Sequence, residues 1–218
     1  MEQEMKQGRQ EVKKESWKMK TAKVAVGIVV VCAILFGVLV IARIPHVIDK
    51  QKTDEQVAKI HATKLTLDDV MGKNLPPDPG AEADKTIAGI DANRNGIRDD
   101  VELAIFKEYP DSAKTRAVLL QYALALQMEV VQPMVNGGTV GEIANKEDRA
   151  FFCVAKIVPE KGEGGVITAM ETYGKFIFGK QFNTEIRKKA HKDFYSHLNS
   201  GRIDDSISCD IELASLPN

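Results

Sequence analysis

Six positions in one short segment, residues 91–102, carry the oxygen donors of this 218-residue chain best suited to chemistry. The segment reads DANRNGIRDDVE, with Asp or Asn at its first, third and fifth positions, a glycine at its sixth and a glutamate at its end. Ca²⁺ prefers carboxylate, amide and backbone oxygens, about six to eight of them, and a turn at the glycine brings such groups together. We therefore expect calcium to bind here through six residues: Asp91, Asn93, Asn95, Ile97 by its backbone carbonyl, Asp99 and Glu102.

These 12 residues resemble the calcium-binding loop of EF-hand proteins. The segment differs from that family in carrying Arg98 where an aliphatic residue is usual, while the aliphatic Ile97 comes one position earlier. In this it looks more like the calcium loops of thrombospondin type 3 repeats and related bacterial extracellular proteins. EF-hand loops usually come in pairs, and a single loop implies a structural calcium site rather than a sensor that opens a groove. Arg94 and Arg98 beside the carboxylates predict weak affinity, on the order of 10⁻⁵–10⁻³ M.

The same residues also permit an interpretation without a metal. Asp99 followed by Glu102 is a favourable helix start, with Asp99 as the cap, and Asn95 followed by Gly96 is a favourable turn. These two features account for much of the motif but not for Asp91. Both interpretations predict a helix from about Asp99 to the residue before Pro110.

Upstream of this segment, residues 22–42 form an apolar run with one charge, Lys23, at its edge. As a helix rising ~1.5 Å per residue it spans about 31 Å, the thickness of a bilayer core. Seven Lys and Arg residues, counting Lys23, lie at or before its N-terminal edge and four follow it closely, which predicts a cytoplasmic N-terminus. A cleaved signal peptide is the alternative, but the leader and the apolar run are long for one. We expect an uncleaved anchor in a bacterial inner membrane.

Composition divides the chain further. Residues 1–21 predict a short cytoplasmic tail, and residues 43–80 a polar stalk or linker that ends in a proline-rich stretch. Through residues 81–218 apolar positions recur at helical spacing, and no part is rich in strand formers. We therefore predict a mainly α fold, in which one transmembrane helix precedes a small extracytoplasmic helical bundle with one calcium loop.

Residues suited to capping mark three helix starts within this bundle. Asp111 or Ser112 can cap the helix after Pro110, Thr184 can cap the last helix, and Thr139 with Glu142 fits a capping box after the two glycines at 137 and 138. The helix that follows Ser112 is apolar on most sides, which predicts a central place in the core.

Cys153 and Cys209 both fall in the part predicted to lie outside the cell. An oxidising compartment favours a disulfide between them, and two free thiols are the alternative. A catalytic thiol would need Cys153 beside His191 or His197, and no spacing in the sequence sets those distances. The chain also lacks a glycine-rich phosphate loop, a zinc spacing and a nucleophile elbow, so we expect that it is not an enzyme.

The net charge of −1 and the absence of a basic bias after the apolar run predict no nucleic-acid partner. The sequence instead predicts a periplasmic calcium-binding protein that is held in the lipid bilayer by residues 22–42 and acts as a binding or scaffolding component of the cell envelope, with a protein partner there. Two alternatives stay open: a membrane-anchored immunity or inhibitor protein, and a metal-assisted hydrolase.

Overall fold

The computed structural model describes residues 2–158, 163–198 and 209–217, and within these ranges it contains helices and no strand. The predicted mainly α fold is therefore confirmed. The α-helices are α1 (Glu2–Ala62), α2 (Leu67–Val70), α3 (Asp99–Glu108), α4 (Ala113–Val131), α5 (Gly137–Cys153), α6 (Glu163–Gln181) and α7 (Glu185–Ser196). Short 3-10 turns cover Gly80–Asp84, Val154–Ile157 and Leu213–Ser215.

Helix α1 contains the apolar run. Between Trp17 and Ala62 the helix is long and apolar enough to cross a membrane, and none of its apolar window is buried. Val29, Phe36 and Leu39 are 66%, 69% and 65% exposed. Such a continuous apolar surface is unfavourable in water and favourable in hydrocarbon. The prediction of one N-terminal helix able to span a bilayer is confirmed.

The chain forms two compact units, Met1–Gln51 and Lys52–Asn218. The last part of α1 belongs to the second unit, where Ile60 is fully buried and Gln56 Nε2 donates a hydrogen bond to Gln132 Oε1 at 2.6 Å. Leu65 and Val70 are buried in the same core. Much of the predicted 43–80 stalk thus lies in the globular unit. Its few apolar side chains pack against core residues distant in sequence, which the polar composition of the stalk does not reveal.

Helix α4 lies at the centre of the second unit and packs against α2, α3, α5, α6 and α7. Its side chains are buried on nearly every side, as its apolar sequence predicts. Ser112 Oγ accepts a hydrogen bond from the Thr115 N–H at 3.1 Å and caps this helix. Thr184 Oγ1 caps α7 in the same way. The predicted cap at Thr184 is confirmed, and Ser112 rather than Asp111 caps α4.

The start of α5 differs from the prediction. Asn136, not Thr139, is the N-cap, and its Oδ1 accepts from the Gly138 N–H at 2.9 Å. Thr139 occupies the third helical position and completes the capping box with Asn136. The predicted box of Thr139 with Glu142 is wrong, because Asn136 is itself a strong cap and the two glycines adopt helical geometry within the first turn. Glu142 Oε2 lies 2.8 Å from His61 Nε2 instead.

Cys153 at the end of α5 is bonded to Cys209, and their Cα atoms are 5.7 Å apart. The structure thus contains the predicted disulfide. It ties residues 209–217 to the second unit, where Leu216 is buried and Asp210 Oδ2 accepts from the Leu65 N–H at 3.1 Å. The two cysteines are 56 residues apart in the sequence. Closing a loop of that length stabilises a fold by roughly 4 kcal/mol in the chain-entropy model. Since Cys153 holds no free thiol, it is not the nucleophile of a Cys–His pair.

Candidate metal centre

The predicted calcium segment follows the Gly80–Asp84 turn, and its last four residues, 99–102, form the first turn of α3. Helix α3 begins at Asp99, as predicted, but its N-cap is Arg98, which makes no side-chain capping bond. The Asp99 carboxylate instead accepts from the Ala92 N–H, at 3.0 and 3.2 Å to its two oxygens. Asp99 therefore holds the start of the segment rather than capping α3. The prediction that Asp99 is an ordinary helix cap is wrong.

The first half of the segment folds around Asp91. Its two carboxylate oxygens accept from the Asn95 N–H at 3.2 Å and the Gly96 N–H at 3.0 Å. Asn95 Oδ1 accepts in turn from the Ile97 N–H at 2.8 Å. Arg94 and Gly96 both have positive φ, +61° and +86°, which lets the chain reverse within a few residues. The residue that the helix-plus-turn interpretation leaves unexplained, Asp91, is therefore the one that organises the turn.

Gly96 is also required by its surroundings. A Cβ atom at this position would lie 2.7 Å from Leu124 Cδ1, a core atom of α4. The segment thus packs closely against the central helix, and a side chain at position 96 would meet both a backbone strain and a clash.

Buried carboxylates face the middle of the segment without a cation of the protein beside them. Asp99 is fully buried and Glu102 is 1% exposed. Glu102 Oε2 accepts from Asn93 Nδ2 at 3.0 Å. In the part of the chain that the structure describes, neither Asp91, Asp99 nor Glu102 forms an ion pair. Such burial is unfavourable for the charged form of a carboxyl group.

The pKa values of these groups follow from that burial. Burial raises the pKa of Glu102 to about 7, against the hydrogen bond from Asn93. Burial also raises the pKa of Asp99, against the hydrogen bond from Ala92 and with the charges of Asp91 and Asp100 adding to the rise. The protein alone therefore leaves negative charge in this segment poorly compensated.

The donor set fits a hard cation. Two amide oxygens and one backbone carbonyl accompany the three carboxylates among the predicted ligands, and oxygen-only sets of this kind suit Ca²⁺ rather than a transition metal. Among the described residues, the buried Asn95 Nδ2 donor has no hydrogen-bond partner. No group of three or more His, Cys, Asp or Glu side chains within the described ranges is placed to hold a metal ion.

Arg98 does not act on the carboxylates as the sequence predicts. Its guanidinium is fully buried and pairs with Asp100, from Nε at 2.5 Å and Nη2 at 2.9 Å. It also donates to the carbonyls of Lys180 at 2.7 Å and Gln181 at 3.0 Å. Arg98 therefore links the segment to the C-terminus of α6, where cations are favoured by the unsatisfied carbonyls.

Arg187 is a second buried arginine, which the sequence does not single out. It lies in a run of basic residues typical of a solvated helix face, yet it is fully buried. Its side chain donates to the carbonyls of Thr86 and Ile87, both at 2.9 Å, and to Asp84 Oδ1 at 2.5 Å. Its hydrogen bond is the main cause that lowers the pKa of Asp84. Arg187 thereby fixes the chain that leads into the segment.

A pair of acids, buried Glu129 and partly buried Glu147, also escapes sequence analysis. Glu129 of α4 has no exposed side-chain surface, and its Oε2 lies 2.5 Å from His191 Nδ1 of α7. Glu129 Oε1 has no hydrogen-bond partner among the described residues. On α5, Glu147 accepts from the hydroxyl of Tyr195. Burial raises the pKa values of Glu129 and Glu147 to about 8 each, and for Glu147 the charge of Glu129 adds to the rise. Near neutral pH each of the two carboxyls therefore retains its proton.

Comparison of the chain with protein-family models, with curated proteins and with solved structures gave no match.

Proposed function

We propose that the second unit is an extracytoplasmic calcium-binding module, tethered to a bacterial inner membrane by α1, which serves as a binding or scaffolding component of the cell envelope. The observation that supports the calcium site is the burial of Asp99 and Glu102, with Asp91 partly buried in the same 91–102 segment, where all three accept hydrogen bonds but form no ion pair in the described chain. Asp91, Asn93, Asn95, Ile97, Asp99 and Glu102 would hold the ion. Calcium would neutralise the carboxylates and stabilise the start of α3.

The compartment is part of the same proposal. The excess of Lys and Arg before the apolar run supports a cytoplasmic N-terminus, which puts the second unit in the periplasm. The disulfide of Cys153 with Cys209 suits that oxidising space, where calcium is also available to a weak site. Alkaline phosphatase fused after Asn218 should be active, whereas a fused reporter that works only in the cytosol would reverse the topology.

Calcium is expected to raise the melting temperature of the full chain in detergent micelles. At a calcium concentration about 100 times Kd, binding contributes roughly 2.7 kcal/mol, or about 5–10 °C for a unit of this size. Asp91→Ala combined with Glu102→Ala should abolish the rise. Glu108→Gln is the matched control, because Glu108 is an exposed carboxyl on the same helix as Glu102. An equal rise in the double variant, or none in the unchanged protein, contradicts the site.

Calcium binding is also expected to depend on pH. Burial raises the pKa of Glu102 to about 7, and a carboxylate ligand must be deprotonated to bind the ion. Below pH 7 binding should therefore release about one proton and weaken about tenfold per pH unit, while at about pH 8.5 the release should vanish. Titration calorimetry in two buffers of different ionisation enthalpy counts the proton. Equal heats in both buffers at about pH 6.5 would show that Glu102 is not a ligand.

The scaffolding role is tested separately from the ion. Membranes extracted in mild detergent with calcium, and then with a chelator, should yield a co-purifying envelope protein whose recovery falls when calcium is removed. The same extraction from cells producing the Asp91→Ala and Glu102→Ala double variant distinguishes loss of the site from other effects of the chelator. Recovery of the chain alone under both conditions argues against a scaffold.

A further inference from the structure

Two buried arginines join the calcium segment to the connection between α6 and α7, residues 180–187, which we call the α6–α7 corner. Arg98 belongs to the segment and Arg187 to the corner, and both are fully buried. Arg98 Nη2 donates to the Lys180 carbonyl at 2.7 Å, and Nη1 donates to the Gln181 carbonyl at 3.0 Å. The second half of the segment is therefore fixed on the last turn of α6.

The chain that leads into the segment is held by the same corner. Residues 85–90 form neither helix nor strand, so their backbone carbonyls need partners from elsewhere in the fold. Arg187 of α7 supplies two of these partners, because it donates to the carbonyls of Thr86 and Ile87 at 2.9 Å each. The corner thus holds the calcium segment from both of its ends.

Asn183 connects the two arginines. Its Oδ1 accepts from Arg187 Nη1 at 2.7 Å and from Arg98 Nη2 at 3.4 Å. Its Nδ2 donates to Asp84 Oδ1 at 3.0 Å. Because Asn183 is exposed, the hydrogen-bond network that starts inside the segment reaches the protein surface at the corner.

The place of Arg98 in the sequence ties this network to the ion. Arg98 lies between Ile97 and Asp99, two of the six proposed ligands, so an ion that fixes both of them also fixes the backbone of Arg98. Its side chain has little room to move independently, since a Cβ atom at Gly89 would lie 2.2 Å from Arg98 Cδ. Without calcium, the charge of the buried carboxylates favours opening of the segment. Such an opening removes Arg98 from its carbonyl acceptors on α6.

We propose that calcium binding regulates the α6–α7 corner: bound calcium holds the corner closed through Arg98, and without calcium the segment and the corner open together. This inference rests on the calcium site proposed above and adds a distant region that responds to it. An opening that releases a ligand becomes rarer by the factor 1 + [ligand]/Kd, so calcium suppresses every opening of the corner that requires Arg98 to leave. Calcium therefore acts on the surface formed by α6 and α7 and not only on the start of α3.

Hydrogen exchange of the full chain in detergent micelles, read by mass spectrometry, tests this coupling. The corner contains amides with defined acceptors, because the Phe182 N–H donates to the Phe178 carbonyl at 2.9 Å and the Arg187 N–H donates to Thr184 Oγ1 at 3.4 Å. At a calcium concentration about 100 times Kd, exchange at the corner should slow by up to about 100-fold relative to a chelator.

The first turn of α5 is the internal reference for this measurement. Its cap, Asn136, donates to Thr53 of α1, so the turn is fixed by a different part of the fold. Exchange at residues 137–142 should slow at least about tenfold less than exchange at the corner, because its local openings leave Arg98 in place.

Arg98→Met tests the connection directly, because it changes none of the six proposed ligands. The variant should still bind calcium, and its corner should lose the additional slowing. Asn183→Ala is a milder variant that keeps both arginines, so it tests the coupling even if Arg98→Met does not fold. It should reduce the additional slowing several-fold at unchanged calcium affinity. Asn145→Ala, at a partly exposed asparagine of α5, is the matched control and should retain the full effect.

Equilibrium dialysis with radiolabelled calcium, on the same samples, separates the two proposals. Absence of calcium binding by the unchanged chain overturns the calcium site and this inference with it. Calcium binding without additional slowing at the corner overturns the coupling alone and leaves the site intact. The same additional slowing in both variants and in the unchanged chain also overturns the coupling.

Discussion

Replacing Arg98 with methionine should lower the free energy of unfolding of the second unit by about 3–5 kcal/mol. The guanidinium is fully buried, pairs with Asp100, and donates to the carbonyls of Lys180 and Gln181. Methionine retains most of the apolar stem but none of these donors. The last carbonyls of α6 and the Asp100 carboxylate then lose their partner, and a polar group left unsatisfied costs more than its bond contributed.

Arg94→Met is the control for that loss. Arg94 is in the same segment and is exposed, so its replacement should change stability by less than about 0.5 kcal/mol. The free energy of unfolding of both variants is measured by urea titration of the full chain in micelles. The near-ultraviolet circular dichroism of the tyrosines monitors the unfolding. All four tyrosines of the chain belong to the second unit. Equal destabilisation by the two substitutions would mean that Arg98 does not link the segment to α6.

Raising the pH from about 5 to about 9, with calcium chelated, should destabilise the second unit by about 4 kcal/mol for each of two acids whose pKa is raised. Burial raises the pKa of both Glu129 and Glu147 to about 8, above the unfolded value of about 4.3. At neutral pH the folded state therefore holds a proton on each of these two carboxyls, which the unfolded state has released. The stabilising contribution of these protonated carboxyls is complete below about pH 4 and is lost as the pH rises through about 8.

Neighbouring groups act differently over the same range. Burial lowers the pKa of His191, which opposes the trend only below about pH 6.5. Burial and Glu147 raise the pKa values of Tyr122 and Tyr195, so both phenols stay protonated. The raised pKa values of Asp99 and Glu102 contribute in the same direction as the acid pair, and a variant is needed to separate them.

Glu129→Gln is that variant, because it keeps the shape of the side chain and removes one titrating carboxyl. Urea unfolding across the pH range should give a shallower decline for Glu129→Gln and an unaltered decline for the surface control Glu108→Gln. Parallel curves for Glu129→Gln and the unchanged chain would show that the acid pair holds no proton near neutral pH.

Local sequence patterns were sufficient for the elements whose physics is local. Ser112 and Thr184 cap their helices as predicted, because a cap depends on residues within one turn. The start of α5 was misplaced because Asn136 is a competing cap three residues before Thr139. Part of the predicted 43–80 stalk also proved to be core, since Ile60 and Leu65 are buried by residues far along the chain.

Composition and spacing within short stretches were enough to predict the membrane-capable helix, the central place of α4, the cysteine pair and the oxygen-rich turn that starts at Asp91. The positions of the buried charges, in contrast, depend on contacts between residues far apart in the chain. Arg98 meets Gln181 across 83 residues and Glu129 meets His191 across 62, and Lys146 is buried against Thr63. A charge can be buried only where distant donors or acceptors converge on it, and chain periodicity does not encode that convergence.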